Sequence, residues 1–501
     1  MNTKKATKHA LLTSVMALVM CVVMLVGTTF AWFTDTASTG VNKIQAGNLD
    51  IELQYATAWD NTTGAPTGWD KAEGKTLTFK TKDNRAADKI LWEPGCTYEL
   101  PELRIVNKGN LALKYKISIS GAKDATPEND KNDLKLLDVI DWTYSVSGAG
   151  GDATAELGTE RHLAAKTSEA DVFDTLTIKG QMQTSAGNDY QGMAIEGIAI
   201  TVVATQDTVE NDSFGNTYDQ DAEYPILVTT GEELQTIVSN ATAPVNIVLT
   251  NSITTNNFVI PKDKDVTLDL NGFTLTGGDT HAILNRGTLC IKDSSGNGKI
   301  VASKANTSAL RNAAVCVIEG GTFTRAAGEN NKWHTVENFG TMTFNGGKVI
   351  AEDGQSFAIV NGWNYINPGE QKATMTINNI EMKAGPNGLK NCAGGTLTMN
   401  DGILHCTGYW GLSNDSTGVA TINGGQIISD TYVAISNGGA KMEINGGTFT
   451  GPEGSLYVQR YAQKTVVTGG SYQNETVEFM QKYCPDGYTA KPEGNMVVVS
   501  R

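Results

Sequence analysis

The feature that most constrains this chain is a repeat of short apolar segments and turns between about Asn271 and Gly470. From Gly346 onward the turns recur after steps of 33, 22, 23, 22 and 23 residues. A series of seven asparagines keeps a similar period, with steps of 27, 26, 23, 30, 23 and 23: Asn285, Asn312, Asn338, Asn361, Asn391, Asn414 and Asn437. Two residue types that share one period of this length predict a solenoid.

The apolar residues within each repeat indicate β-strands. An aliphatic residue stands two positions before each asparagine, as Ile283 and Leu310 do, and the residues before the turns alternate, as in the segment 342–344. Three short strands in a coil of about 22 residues predict a parallel β-helix. Because coils stack about 4.8 Å apart, a column of asparagines can pass amide hydrogen bonds from coil to coil.

This pattern resembles the right-handed parallel β-helix of the pectate-lyase superfamily, and the resemblance covers about half of the chain. The fold carries lyases, hydrolases, adhesins and phage spikes alike. The likeness therefore implies a fold and leaves the function open.

Residues 1–31 have the composition of a secretory signal peptide. Lysines open the segment, residues 11–26 are apolar, and Ala31 closes a small-x-small cleavage site before Trp32. The apolar run also approaches the length that spans a bilayer, so an uncleaved anchor helix is the alternative.

The most specific motifs follow this segment. They are the stretches 31–36, 42–53, 92–95, 104–119, 190–192 and 198–206. They resemble the TasA/camelysin family of matrix and surface proteins, which Gram-positive bacteria secrete with the help of the signal peptidase SipW. Alternating apolar residues at 112–119 and long polar loops are typical of antiparallel strands, and we predict a jelly-roll-like β-sandwich over residues 32–206.

The resemblance implies self-association into fibres or matrix, and a SipW-type signal peptidase as a partner. In TasA-like fibres the cleaved N-terminal segment pairs as a donor strand with an edge of the next subunit. The candidate donor here is the segment 32–39, anchored by Trp32 and Phe33. The alternative is that this segment covers an edge of its own sandwich. The metalloprotease label of camelysin-type proteins gains little support, because no H-E-x-x-H motif is present.

Residues 207–226 are polar and acidic and predict a solvated linker, with a calcium site as the alternative. A second domain is predicted at 227–474. It opens on an amphipathic helix at 230–240, which would cover the exposed apolar end of the solenoid. Residues 475–501 would form the opposite cap.

Charge and cysteine content limit the partners and the chemistry. The formal charge is −15, and it becomes −18 once residues 1–31, with three lysines and no acid, are removed. This charge disfavours nucleic acid, anionic membranes, and anionic polymers that calcium does not bridge. The seven cysteines lack framework spacing and are predicted to be mostly buried thiols, with a Cys392–Cys406 bridge left open. No motif predicts a cofactor or a metal site.

Catalysis on a β-helix requires acids, or acids with a basic residue, on one strand face. When the coils are aligned by their asparagines, no such cluster is evident: Glu337 has Val, Lys and Ser at its position in later coils. His281 and His334 share a position that we predict to point inward, which favours packed histidines over catalytic ones. We predict no catalytic residues.

Aromatic residues are the remaining candidates for a ligand site, because exposed rings can stack on sugars. Three share a position predicted to point outward and two lie in the loop after Asn361; they are Trp333, Tyr409, Tyr432, Trp363 and Tyr365. Scattered surface aromatics and loop packing are the alternatives.

Together the patterns predict an extracellular, all-β protein with an assembling N-terminal module and a β-helix that presents a surface for adhesion or glycan binding. A β-helix carbohydrate-active enzyme (a polysaccharide lyase or glycosidase) carried on a matrix module is the main alternative. The other alternative is a purely structural stalk.

Overall fold

The fold is that of a computed structural model. It describes residues 49–60, 62–63, 65–72, 75, 77–79, 92–124, 134, 136–148, 151–155, 159–166, 170–193, 195–207, 224–326, 333–351, 356–362 and 372–501. The predicted signal peptide with its cleavage site, the donor-strand candidates Trp32 and Phe33, and most of the predicted linker lie outside these residues. Trp363 and Tyr365 also lie outside them.

The N-terminal module consists of two antiparallel sheets. Its strands are β1 (Ile51–Trp59), β2 (Pro66–Lys71), β3 (Thr97–Glu99), β4 (Leu103–Asn107), β5 (Leu113–Asp124), β6 (Ile140–Gly148), β7 (Gly151–Ala155), β8 (Arg161–Leu163), β9 (Val172–Met182) and β10 (Ile195–Gln206). The large sheet has the order β2-β1-β4-β9-β6-β7, with β3 also on β9, and the small sheet has the order β10-β5-β8. Short 3-10 helices span Leu136–Val139 and Asn188–Tyr190.

The two sheets of this module share a hydrophobic core. Leu103 and Ile105 of β4 are fully buried in one cluster with Leu113 and Tyr115 of β5. The Tyr115 hydroxyl donates to the Asp174 carboxylate of β9 at 2.6 Å, which joins the small sheet to the large one. The module is therefore all-β, whereas the jelly-roll connectivity stays a prediction.

Residues 226–472 form a parallel β-solenoid of about 10 turns, which confirms the predicted β-helix. Each turn contributes strands to three sheets. Sheet 1 contains Ile226–Val228, Val245–Leu249, Asp265–Asp269, Thr288–Lys292, Val315–Ile318, Thr341–Phe344, Ala373–Ile377, Gly395–Met399, Val419–Ile422, Lys441–Ile444 and Thr465–Val467.

Sheets 2 and 3 follow sheet 1 within each turn. Sheet 2 contains Ile253–Thr255, Thr274–Gly277, Lys299–Ala302, Thr322–Arg325, Lys348–Ala351, Glu381–Ala384, Ile403–Cys406, Gln426–Ser429, Thr448–Thr450 and Gly470–Gln473. Sheet 3 contains Val259–Ile260, Ile283–Asn285, Leu310–Asn312, Val336–Asn338, Phe357–Asn361, Asn387–Asn391, Trp410–Asn414, Val433–Asn437 and Leu456–Val458.

Inward-pointing side chains stack in columns along the solenoid. In sheet 2, for example, Val349, Met382 and Leu404 occupy paired positions of successive strands, and all three are buried. Such columns merge into one continuous core. Burying each aliphatic side chain stabilises the fold by roughly 1.5–3 kcal/mol, so the repeat of apolar residues is what holds the coils together.

The paired glycines of the turns supply a backbone conformation that other residues adopt at a cost. Gly347 and Gly425, each the second glycine of its pair, have φ values of 90° and 86°. This left-handed region is open to glycine without a steric penalty. The glycine pairs thus set the corner between sheet 1 and sheet 2.

Both ends of the solenoid are covered. Helix α1 (Gly231–Asn240) starts after the N-cap Thr230, whose hydroxyl accepts from the Glu233 amide at 3.2 Å, and it buries Leu234 and Val238 against the first turn. At the other end, helix α2 (Val477–Gln481) is followed by the antiparallel strands Thr489–Glu493 and Met496–Ser500, which extend sheet 2.

The cysteines of the described residues are free thiols: Cys96, Cys290, Cys316, Cys392, Cys406 and Cys484. The disulfide bond between Cys392 and Cys406, which the sequence left as a possibility, is not formed. Burial raises the pKa of Cys392 to about 12 and that of Cys406 to about 11. Both thiols therefore stay protonated near neutral pH, which makes them poor nucleophiles.

Candidate functional site

The seven asparagines of the predicted column lie in sheet 3 and are fully buried. We call them the buried ladder. The Nδ2 of each of the first six donates to the Oδ1 of the next asparagine at 2.7–2.9 Å, and the Nδ2 of Asn437 donates to the Thr465 hydroxyl at 2.9 Å. Most members also donate to a backbone carbonyl one turn further on, as Asn391 does to Val419 O at 3.0 Å. Because the amide hydrogens are used within the fold, this ladder is structural and offers nothing to a ligand.

A second ladder, which the sequence analysis missed, runs along the corner between sheet 1 and sheet 2. We call it the exposed ladder, because its asparagines face solvent: Asn345, Asn378, Asn400, Asn423 and Asn445. Here each Nδ2 donates to the Oδ1 of the preceding asparagine at 2.8–2.9 Å. Glu319 and Thr468 bond to its two ends. The signal was available, because each member directly precedes one of the turn positions.

The outer face of sheet 3 carries the clusters that bear on function. The third and the second residue before each asparagine are both buried, and in most turns both belong to the hydrophobic core, as Ala309 and Leu310 do. Two successive inward residues break the alternation, so the fourth residue before the asparagine returns to the outer face. The prediction that His281 and His334 point inward is wrong for this reason: Ser308, at the same position, donates its hydroxyl to Glu337 on the outer face, at 2.6 Å.

Three rings form an aromatic cluster toward the C-terminal end of this face. Tyr409 and Tyr432 meet edge to face at 6.2 Å between ring centroids, and Trp410 lies 6.0 Å and 6.5 Å from them. Tyr409 is 58% exposed. The Trp410 Nε1 is buried, and no acceptor among the described residues forms a hydrogen bond with it. The structure thus brings two of the predicted rings together and adds Trp410, which lies four residues before Asn414, the position that His281 and His334 occupy in their own turns.

Trp333 lies apart from this cluster. It is half-buried beside His334, at 5.4 Å between ring centroids, and its indole neighbours the Glu337 carboxyl. Its strand in sheet 3 is three turns before that of Tyr409, about 14 Å along the solenoid. Trp333 therefore belongs to a second, polar cluster.

The polar cluster occupies the outer face of sheet 3 nearer the N-terminal end. Register pairs Arg311 with Glu337, and their side chains approach to 3.8 Å between Nη1 and Oε2. His281 lies 3.9 Å from the same carboxyl oxygen and accepts a hydrogen bond from the Ser308 amide at 2.9 Å. Glu337 Oε1 is buried without a hydrogen bond of regular geometry among the described residues.

Burial dominates the protonation of this cluster. It raises the pKa of Glu337, against the opposing effects of the Ser308 hydroxyl and Arg311. Burial, with Arg311 and Arg325 nearby, lowers the pKa of His281 to about 4, and burial lowers the pKa of His334 to about 4. Both imidazoles are therefore neutral near pH 7.

Lys390 lies between the two clusters along the face, on the strand Asn387–Asn391. It forms an ion pair with Asp415 at 3.1 Å and lies over the Phe357 ring at 5.1 Å. Asp415 also accepts from the Ser413 hydroxyl at 3.1 Å. Comparing single positions of successive coils does not reveal this row, because register brings residues from different positions into contact.

Within the part of the chain that the structure describes, no group of three or more His, Cys, Asp and Glu side chains converges as a metal site would require. In the same residues, no helix is long and apolar enough to span a membrane.

Comparison with known proteins assigns no family to the chain. No protein-family model matches it, and neither curated proteins nor solved structures give a significant match. The likeness to the TasA/camelysin family thus rests on sequence motifs alone, whereas the parallel solenoid rests on its geometry.

Proposed function

We propose that this chain is a secreted surface or biofilm-matrix protein whose solenoid binds carbohydrate through the outer face of sheet 3. The observation that carries the proposal is the aromatic cluster of Tyr409, Trp410 and Tyr432. An exposed ring offers a flat apolar surface with a polar edge, which suits the C–H face of a sugar ring. The buried Trp410 Nε1–H would then donate to a sugar hydroxyl that reaches it.

The N-terminal module supports the assembly part of this proposal. Its motifs are similar to those of the TasA/camelysin family, and residues 1–31 are similar to a signal peptide that a SipW-type peptidase cleaves. Strand β10 is 12 residues long and, within the described residues, pairs along one edge only, with β5. An unpaired strand edge accepts an added strand. We propose the segment beginning at Trp32 and Phe33 of a neighbouring copy as that strand.

A carbohydrate-active enzyme is the second candidate, and the Glu337 carboxyl favours it. A carboxyl with a raised pKa beside an arginine is the kind of group that serves as a general acid. Glycosidases use a second carboxyl group about 5–10 Å from the first. If this candidate is correct, the wild-type chain should release reducing ends from a polysaccharide, and Glu337→Gln should abolish that release while binding persists.

Binding is tested by retention on columns of insoluble cell-wall polysaccharide and of mucin. Tyr409→Ala and Tyr432→Ala should each weaken retention about tenfold, the loss of one good ring contact, with an unchanged unfolding temperature. Trp59→Ala is the matched control, since Trp59 is an exposed ring in the other module. Equal retention of wild type and both tyrosine variants would contradict the proposed surface.

Assembly is tested by light scattering and electron microscopy on residues 32–501 beside residues 40–501. Filaments that form only with the longer chain would support donor-strand assembly through Trp32 and Phe33. Identical monomers from both chains would contradict donor-strand assembly. That result would not affect the proposed carbohydrate-binding surface.

A further inference from the structure

Three members of the exposed ladder stand directly before a pair of glycines: Asn345, Asn423 and Asn445. The first glycine of such a pair has no room for a side chain. A Cβ on Gly424, for example, would lie 2.6 Å from the backbone carbonyl oxygen of Asn400 in the preceding turn. Stacking favours asparagine at one position and the corner requires glycine at the next, so the fold itself produces the sequence Asn-Gly.

An asparagine followed by glycine can react with its own backbone. The glycine nitrogen attacks the carbon of the asparagine side-chain amide, and glycine has no Cβ that hinders this approach. The new C–N bond closes a five-membered succinimide ring, and the side-chain nitrogen leaves as ammonia with the proton of the glycine N–H. Water then opens the ring at one of its two carbonyls, which restores the N–H and leaves aspartate or isoaspartate. Water is the co-reactant, and nothing is oxidised or reduced.

The structure leaves the reacting atoms of two turns accessible. Within the described residues, the backbone amides of Gly424 and Gly446 form no hydrogen bond. The side chains of Asn423 and Asn445 are exposed, and each donates one bond along the ladder, at 2.8 Å and 2.9 Å, which water can replace. Gly346 differs, since its amide donates to a backbone carbonyl of the preceding turn at 3.3 Å. Asn423 and Asn445 are therefore the most reactive ladder positions.

The buried ladder contains the same dipeptide in a protected form. Asn361 and Asn437 each precede a glycine, and both are fully buried. The amides of Gly362 and Gly438 donate to backbone carbonyls at 2.9 Å and 2.7 Å, which engages the nitrogens that would attack. Ring closure at these positions requires several buried hydrogen bonds to break first. Burial thus protects one ladder and leaves the other reactive.

We propose that the exposed ladder is a site of spontaneous covalent modification, namely deamidation at Asn423 and Asn445. Conversion of Asn423 leaves an acceptor for the Asn445 amide but no donor for Asn400 Oδ1, so the ladder is divided into two shorter rows. Each conversion adds one negative charge to a chain of net charge −15. Because water replaces the lost bond, the solenoid stays folded and modified chains accumulate. The reaction does not depend on the carbohydrate-binding function proposed above.

The test is incubation of the folded full chain at neutral and at mildly alkaline pH, followed by digestion at acidic pH and peptide mass spectrometry. The two exposed positions, 423 and 445, should convert at least about tenfold faster than Asn361 and Asn437, because the buried positions react only after local opening. The rates should rise with pH, since the attacking nitrogen must lose its proton. Equal conversion of exposed and buried positions in the folded chain would overturn the proposal.

Two comparisons separate the effect of structure from that of sequence. In the urea-denatured chain the four Asn-Gly positions should convert at similar rates, and a difference as large as in the folded chain would contradict protection by burial. Asn378 and Asn400 are exposed members of the same ladder that precede Asn379 and Asp401. In the folded chain they should convert several-fold more slowly than Asn423, because the following residue carries a side chain. Equal rates would contradict the role of the corner glycine.

Asn423→Thr is the matched variant, because Thr468 already occupies the equivalent position at the end of the ladder and donates to Asn445 at 2.7 Å. Threonine has no side-chain amide, so this variant should lose the mass change at position 423, keep it at Asn445 and unfold at an unchanged temperature. Ion-exchange chromatography should show fewer acidic species after incubation. If these species form as fast in the double variant Asn423→Thr with Asn445→Thr as in wild type, the modification lies elsewhere and the proposal is overturned.

Discussion

The two asparagine ladders use the same side chain and nearly the same spacing, yet one is sealed in the core and the other faces water. In the buried ladder each amide bonds its neighbour and most also bond a backbone carbonyl, whereas the exposed ladder uses mainly side-chain bonds. Water can replace every bond of the exposed ladder and none of the buried one. Hydrogen-bond geometry alone therefore says little about how much a bond contributes to the free energy of unfolding.

The ladders also donate in opposite directions along the solenoid. Asn391 donates to Asn414 of the following turn, whereas Asn400 donates to Asn378 of the preceding one. In the buried ladder a shift of register by one residue would leave several amides without partners, at about 1–3 kcal/mol for each unsatisfied buried group. The buried ladder therefore fixes how coils stack, and loops of different length are accommodated elsewhere in each turn.

Asn391→Asp should have the largest effect, a loss of about 4 kcal/mol in the free energy of unfolding at pH 7. The carboxylate cannot donate to Asn414 Oδ1, and it is a buried charge without a partner. Burial would hold the folded pKa of the new carboxyl above its unfolded value of about 3.9, so the loss should shrink as pH falls toward 4. Urea denaturation at pH 7 and pH 4 measures the loss of stability and its dependence on pH.

Asn400→Asp is the control for that substitution and should lose less than about 1 kcal/mol at either pH. If the stability loss of Asn391→Asp is the same at pH 7 and pH 4, the loss does not come from a buried charge.

Asn391→Ala should have the second-largest effect, a loss of about 3 kcal/mol in the free energy of unfolding. It removes the donors to Asn414 Oδ1 and Val419 O and the acceptor of the Asn361 amide, and no water replaces them. Chemical denaturation measures the change. A loss below about 1 kcal/mol would mean that water enters the ladder.

The buried ladder illustrates how much of the fold the sequence could predict. A side chain that repeats at a fixed position beside an aliphatic residue has to stack on itself when coils stack, so Asn285 to Asn437 and the parallel β-helix could be inferred without coordinates. The exposed ladder was missed because its members precede the more conspicuous glycines of the turns. The strand order of the N-terminal module was less accessible, since antiparallel pairing depends on contacts distant in sequence, and its jelly-roll connectivity stays a prediction.

The candidate site was predicted only in part, for a local reason. Counting positions back from the asparagine assumed strict alternation, which two successive core residues such as Ala309 and Leu310 break. Tyr409 and Tyr432 were nonetheless identified, because they lie at the surface beyond the irregularity. The cluster of His281, Arg311 and Glu337 was missed, because it forms between turns through register and not along one strand.

Glu475→Gln tests a half-buried carboxyl at the C-terminal end of sheet 3. Glu475 Oε1 accepts from the Ser455 and Leu456 amides at 2.8 Å and 2.9 Å, and burial raises the pKa of this carboxyl. Glutamine keeps an accepting oxygen without the charge. It should add about 0.5 kcal/mol of stability at pH 7.

The pH dependence of that gain has a defined sign. A carboxyl whose folded pKa lies above its unfolded value costs stability as pH rises through the folded value, so the gain should vanish near pH 4, where wild-type Glu475 is protonated. Glu493→Gln, at an exposed glutamate, is the control and should show no such dependence. A gain that persists at pH 4 would contradict the pKa assignment.

Asn400→Ala should have the smallest effect, about 0.5 kcal/mol or less. The substitution removes a bond to Asn378 and a bond from Asn423, both at 2.8 Å, but water reaches the partners and replaces the lost bonds. Thermal and urea unfolding should barely separate the variant from wild type. A loss near that of Asn391→Ala would mean that ordering the row of amides, and not burial, is what stabilises a ladder. Burial would then not distinguish the two ladders, since the same hydrogen bonds would contribute equally to stability in water and in the core.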